Sequence, residues 1–148
     1  MKALIQRVAN ASVSVGKHIA GSIGPGLVVF IGIAKEDSES DAHYLANKIV
    51  NLRIFANEAT EFALSVLEMK GEVLIISQFT LLANSRKGRR PSFADASPPN
   101  RAKALYNFFV DQVRSTSIRV ETGIFQEHMM VEIHNDGPVT LLLESKIK

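Results

Sequence analysis

Two apolar runs constrain this chain more than anything else in it. Leu27-Val28-Val29-Phe30-Ile31-Gly32-Ile33 carries no polar side chain, and Val73-Leu74-Ile75-Ile76 is aliphatic until Ser77-Gln78-Phe79-Thr80-Leu81 closes it. A strand with one wet face alternates apolar and polar residues, so a run without alternation reads as a buried central strand. Residues 73–81 form the strongest strand in the sequence. A length of 148 residues predicts one domain, 1–148. With 46% of residues apolar and 22% charged, it can build a core without metals or disulfides. Cysteine is absent, which removes disulfides, thiolate nucleophiles and Cys-ligated metal sites.

The remaining pattern surrounds those strands. Residues 3–8 and 12–15 read as strands, followed by a Gly16-Lys17 turn, a return strand over 19–23 and a Gly24-Pro25-Gly26 turn. A helix follows, capped by Asp37 or Ser38, with Ala42, Leu45, Ile49 and Leu52 on one face. Residues 65–69 read as a further strand. Ser97-Pro98-Pro99 opens a second helix, with Ser97 as N-cap and Pro98 at its first position. Ala102, Leu105, Tyr106, Phe109 and Val113 supply its buried stripe. Residues 119–125, 129–134 and 139–144 read as closing strands. The expected class is α+β, two helices against a mainly antiparallel or mixed sheet.

No apolar run approaches the roughly 18–20 residues of a membrane helix. The longest uncharged stretch, 18–34, is broken by four glycines and a proline, and the start MKALIQRV has no signal-peptide core. A cytoplasmic protein is expected. The net charge of +2 conceals an asymmetry. Residues 86–103 hold Arg86, Lys87, Arg89, Arg90, Arg101 and Lys103 against Asp95 alone, so this segment is +5 and the rest −3. A local basic patch suits phosphate, and equally a solvated loop.

No P-loop, GxGxxG, GxSxG or HExxH is present, and His18, His43, His128 and His134 are isolated. His128 and His134 are candidate general bases, each better explained by a strand face or turn. Two features resist a bland reading. Ser77-Gln78-Phe79-Thr80 ends a buried strand in polar groups that need partners. Alternation would set Ser77 and Phe79 on one face, Gln78 and Thr80 on the other. Asp136-Gly137 between two apolar runs predicts a tight hairpin, but Pro138 conflicts with one and favours an irregular loop presenting its carbonyls.

Taken together, Ser77-Gln78-Phe79-Thr80-Leu81 and Asn135-Asp136-Gly137-Pro138-Val139-Thr140 resemble the D-aminoacyl-tRNA deacylase family. The resemblance covers essentially the whole chain, with Ala3-Leu4-Ile5-Gln6-Arg7-Val8, Leu52-Arg53-Ile54-Phe55, Arg90-Pro91-Ser92-Phe93, Thr122-Gly123, Phe125 and Met129. Neither signature motif departs from the family pattern. The resemblance implies hydrolysis of the ester between a D-amino acid and the terminal adenosine of tRNA, and of glycine misplaced on alanine tRNA. It implies a homodimer; no cofactor, metal or membrane partner is expected.

By the same resemblance, Ser77 and Gln78 bind substrate, and Gly137-Pro138, in cis, enters the site from the other subunit to reject L-amino acids. Arg7, Phe125 and Met129 would support that loop. Thr80 and Phe79 would be catalytic in one of two ways. Either the Thr80 hydroxyl is the nucleophile, or the Phe79 and Thr80 N–H groups hold the oxyanion while the terminal ribose hydroxyl activates water. The second is preferred, since no His or Lys stands beside Thr80 in the sequence. Arg86, Lys87, Arg89 and Arg90 are expected on tRNA phosphates. Three rivals stand beside this reading: a nucleic-acid-binding module without catalysis, a related deacylase with a trans Gly-Pro bond that accepts small L-amino acids, and a homodimeric structural protein.

Overall fold

The computed structural model describes residues 1–146. Six strands form one mixed sheet. They are β1 (Lys2–Val15), β2 (His18–Ile23), β3 (Gly26–Gly32), β4 (Glu72–Ser77), β5 (Arg119–Thr122) and β6 (Met130–Glu144). The path is β2-β1-β3-β4-β5, with β6 on β1. Contacts of β1 with β2, β3 and β6 are antiparallel, and β3-β4 and β4-β5 are parallel. The helices are α1 (Glu39–Asn51) and α2 (Pro99–Arg114). The expected α+β class with two helices and a mixed sheet is borne out.

The unalternating runs are explained by two cores. Leu27, Val29, Ile31, Val73 and Ile75 pack with Leu45, Ile49, Phe109 and Val113 of the helices. Val28, Leu74 and Ile76 pack in a second cluster with Val8, Val13 and Ile23, where the long β1 continues past β3 to pair with β2. Thus β3 and β4 are covered on both faces, as their sequences require.

Several boundaries differ from expectation. Residues 3–8 and 12–15 are one strand. Residues 65–69 form a turn rather than a strand: the Ser65 hydroxyl accepts from Glu68 N–H at 3.0 Å, and the Glu68 carboxylate from Ser65 N–H at 3.1 Å. Those reciprocal bonds give the backbone a local alternative to a ladder. Strand β4 stops at Ser77, and residues Phe79–Leu82 make a 3-10 turn, here η1. The expected alternation of faces over 77–80 therefore does not hold. Helix α1 is capped by Ser38, whose N–H donates to Asp41 at 2.9 Å. Asp37 is instead buried against the α-ammonium at 2.7 Å. The N-cap of α2 is Pro98, with Pro99 at the first position, because Ser97 N–H is held by the Ile33 carbonyl at 2.9 Å. Leu52 lies just past the end of α1, and β5 ends at Thr122, three residues earlier than expected.

The largest departure is at Met130–Glu144, which form one strand rather than two. Gln6 pairs with Thr140 and Val8 with Asn135, so Arg7 alone stands across from residues 136–139. The Asp-Gly-Pro segment is a wide bulge within β6, with no reversal of the chain.

Candidate active site

A cavity of about 690 Å³ opens where β3 and β4 end. Its walls include Ile31 and Ile76 of the strands, Ser77, Gln78 and Phe79 at the strand end, Phe93, residues 96–99, and residues 125–129. Phe79 and Phe93 meet edge to face at 5.0 Å, and Phe79 is 56% exposed. Apolar walls with a few polar groups describe a small-ligand site.

Ser77 and Gln78 give the wall polar groups, and Thr80, outside the wall, lies in the 3-10 turn that follows. Its first internal bond runs from Leu81 N–H to the Gln78 carbonyl at 3.2 Å. The N–H groups of Phe79 and Thr80 precede that bond and have no carbonyl within the turn, as at any helix start. Thr80 is exposed, and its hydroxyl accepts from the Gln78 side-chain amide. An amide is not a base, so this contact does not activate the hydroxyl.

Phe125 and Met129 belong to the wall of this cavity. Phe125 packs on Tyr106 at 5.8 Å. The buried Tyr106 hydroxyl donates to the Ile75 carbonyl at 2.9 Å, and burial pushes its phenol well above the usual range. Gly123 N–H donates to the same carbonyl at 3.2 Å. Helix α2, the residue following β5 and the end of β4 are thus tied at one atom, two residues before Ser77. His128 lies in the wall, whereas His134 is exposed on β6.

Gly137 and Pro138 are not in that wall. They sit exposed in the β6 bulge, joined by a cis peptide bond, outside the β1-β6 ladder. Arg7, 5% exposed, fills the bulge from the opposite strand. Its Nε donates to the Asp136 carbonyl at 3.2 Å and its Nη1 to the Ile54 carbonyl at 2.9 Å. Glu61 and the Asp136 carboxylate are 3.5 Å away. Asn135 Nδ2 closes the bulge, donating to the Arg7 carbonyl at 2.9 Å and the Val139 carbonyl at 3.1 Å. Gly137 has φ +123°, where a side chain is strained. A Cβ there would meet Val139 Cγ2 at 2.9 Å, and Arg7 Nη2 and Val139 N at 3.0 Å.

One chain therefore brings Ser77, Gln78, Phe79, Phe125 and Met129 together around a cavity, and separately joins Arg7 to Gly137-Pro138. Arg86, Lys87, Arg89 and Arg90 are exposed in the loop between η1 and α2. Sequence reasoning missed Asn135 as the clasp, the Ile54 carbonyl and the Tyr106 hydroxyl. Asn135 was open to discovery, since Asn is apt to bond nearby backbone in turns. The other two depend on tertiary placement. No helix among the described residues is long and apolar enough to cross a membrane.

Residues 4–144 match the family described as D-Tyr-tRNA(Tyr) deacylase. A D-aminoacyl-tRNA deacylase of Fervidobacterium nodosum is 55% identical over 99% of this chain and 98% of its own. Among solved structures, one titled c-Myc DNA Unwinding Element Binding Protein superposes with a TM-score of 0.93 at 41% identity, covering 99% of this chain and 100% of that one. A probable eukaryotic D-amino acid tRNA deacylase shares the fold, with a TM-score of 0.86 at 17% identity over 97% and 98% of the two chains. With the match running from the first strand to the last and the identity above one half, the chain belongs to the D-aminoacyl-tRNA deacylase family.

Proposed function

We propose that this deacylase hydrolyses D-aminoacyl esters of tRNA in a homodimer, with each cavity completed by the Gly137-Pro138 bulge of the second copy. The carrying observation is the separation of the two motifs. The cavity holds Ser77, Gln78 and Phe79 but lacks Gly137-Pro138, which stands exposed outside its own ladder. Strand β6 pairs only with β1 among the described strands, leaving one edge free. Met130 (63%), Leu142 (54%) and Leu141 (37%) are exposed along it. An unpaired edge with apolar side chains favours a second chain, and a twofold interface would present each bulge to the other copy.

In that arrangement the bulge carbonyls occupy the space an L side chain would need. Selectivity comes from rejection, and glycine, with nothing to clash, is also removed, including from alanine tRNA. The Phe79 and Thr80 N–H groups stabilise the oxyanion. Water is activated by the free ribose hydroxyl of the terminal adenosine, because the Thr80 hydroxyl is bonded to an amide. The ester is already labile, so positioning suffices. Arg86, Lys87, Arg89 and Arg90 contact tRNA phosphates of the acceptor stem and its 3' end. The protein works in the cytoplasm, where its substrate is.

The test compares D-tyrosyl-tRNA with L-tyrosyl-tRNA, using the protein and its Gly137→Ala and Thr80→Ala variants. Only the D-ester should be hydrolysed, Gly137→Ala should lose activity or discrimination, and Thr80→Ala should keep substantial activity. A loss of about 1000-fold in Thr80→Ala, about 4 kcal/mol, would refute the role given to the ribose. Mixing Gly137→Ala with a cavity-filled Ala96→Trp variant should restore roughly a quarter of the sites if copies exchange at random in a twofold dimer. No restoration in exchanging dimers refutes the shared site. Bound tRNA with neither ester cleaved would favour a binding module.

A further inference from the structure

A second cavity, of about 570 Å³, lies at the far end of the η1 turn. The turn begins with Phe79 in the wall of the first cavity and ends with Leu82 in the wall of the second. Four residues of 3-10 turn span only about 6–8 Å. The Ala34–Ala96 bridge joins the walls again, Ala34 belonging to the second cavity and Ala96 to the first. Consecutive units of one polymer can therefore occupy both.

The second cavity has an unusual charge pattern. Lys2 is near Glu144 at 3.6 Å, the α-ammonium is paired with Asp37, and Lys146 is near Asp37 at 3.3 Å. Those pairs leave four exposed charged side chains on its wall: Lys35, Arg86, Glu36 and Asp95. Among the described residues none of the four side chains has an ion-pair or hydrogen-bond partner. A bare phosphate site would be purely cationic. Two free cations beside two free carboxylates instead suit a ligand that is anionic at one end and carries both donor and acceptor groups at the other.

A cytidine nucleotide has that chemistry. Its exocyclic amine donates to a carboxylate, its ring carbonyl and nitrogen accept, and its phosphate takes a cation. We infer that this cavity holds the cytidines preceding the terminal adenosine of tRNA, with Asp95 or Glu36 accepting from the cytosine amine and Lys35 and Arg86 on phosphate or carbonyl oxygen. This rests on the reading that the first cavity takes the terminal aminoacyl-adenosine. It assigns Lys35 and Asp95 roles that neither motif supplies.

The probes are the trinucleotides CpCpA and UpUpA and adenosine, each titrated against the protein by equilibrium binding at fixed, stated salt. CpCpA should bind at least tenfold more tightly than adenosine or UpUpA. Lys35→Ala combined with Arg86→Ala should remove the gain over adenosine, and Asp95→Asn combined with Glu36→Gln should remove the preference over UpUpA. All four side chains are exposed, so these variants keep the fold. CpCpA binding no tighter than adenosine, or a gain that survives both pairs of substitutions, overturns the inference. Binding is read without turnover, so a failure here is separate from a failure to hydrolyse D-tyrosyl-tRNA, which would strike the proposed reaction instead.

Discussion

Replacing Arg7 with methionine should show what holds the Gly137-Pro138 bulge. The guanidinium makes two kinds of contact, and their magnitudes differ. Glu61 and Asp136 are 70% and 60% exposed, so pairing with them contributes at most about 1 kcal/mol. The bonds to the Ile54 and Asp136 carbonyls, at 2.9 and 3.2 Å, come from a charged and buried donor, and such bonds contribute about 1.5–3 kcal/mol each. Methionine refills much of the space, and removing a buried charge recovers part of its desolvation cost. The expected net loss is about 2–4 kcal/mol. Unfolding entropy for a chain this long is about 0.3 kcal/mol/K, so Tm should fall by about 6–13 °C. Circular-dichroism melts measure the fall, and hydrolysis of D- and L-tyrosyl-tRNA well below the lowered Tm measures selectivity, which should weaken. The control is Glu61→Gln, which should shift Tm by less than about 3 °C. A Tm within about 2 °C of wild type with discrimination intact would refute the reasoning. So would a Glu61→Gln variant as damaged as Arg7→Met.

Other outcomes are open to direct measurement. Tyr106→Phe removes the hydroxyl from the Ile75 carbonyl and should cost about 1 kcal/mol in melts, with KM rising more than kcat falls because Phe125 loosens; an unchanged Tm and KM would reject this. Charge reversal at Arg89 and Arg90 should weaken tRNA binding and lower the slope of log affinity against log salt by about 0.7–0.9 for each phosphate no longer neutralised; an unchanged slope would remove these residues from the interface. In Asp41 burial acts upward, but the Ser38 N–H, the Ser145 hydroxyl and Lys146 outweigh it, so its carboxyl lies below the usual range. The Glu72 carboxyl is also low, held by the Gly24 N–H and Arg119. Because the folded values are depressed, their stabilisation is present above about pH 4 and is lost as pH falls through the folded values. Asp41→Asn and Glu72→Gln should melt below wild type at pH 7 and converge on it near pH 2; parallel melting curves across that range would refute the assignment.

Legibility in the sequence followed the range of the forces involved. The runs at 27–33 and 73–76 declared central strands because burial on both faces leaves no room for alternation. The buried stripe of α2, from Leu105 to Val113, was equally plain. Misreadings arose where a short-range bond competed with periodicity. Ser65 and Glu68 close a turn on each other over an apolar stretch that resembles a strand. At Gln78 the backbone leaves the strand although Phe79, Thr80 and Leu81 all have high or moderate strand preference. The motif at 77–80 was legible as chemistry but not as a turn, and the turn is what frees the two N–H groups. Phe93 and His128 reach the cavity only through tertiary folding, which no local pattern encodes.

The bulge at 136–139 gives the Gly-Pro motif a local explanation in the backbone. Under the proposed function, glycine at 137 leaves room for the substrate. The geometry supplies a nearer reason. A Cβ would press on Val139 N, which is backbone, and on Arg7 Nη2, which belongs to a guanidinium fixed at the Ile54 carbonyl. Neither neighbour yields without moving the bulge, and φ +123° strains any side chain besides. An alanine therefore displaces the two carbonyls before any substrate arrives. Asn135 ties the same segment to the Arg7 carbonyl and the Val139 carbonyl, so Gly137, Arg7 and Asn135 act on one object. Substitutions at the three should be far from additive, since the first to release the bulge leaves little for the others to lose. In the proposed site, a loss of selectivity at Gly137 would then report the position of the loop, which the strand holds outside its own ladder.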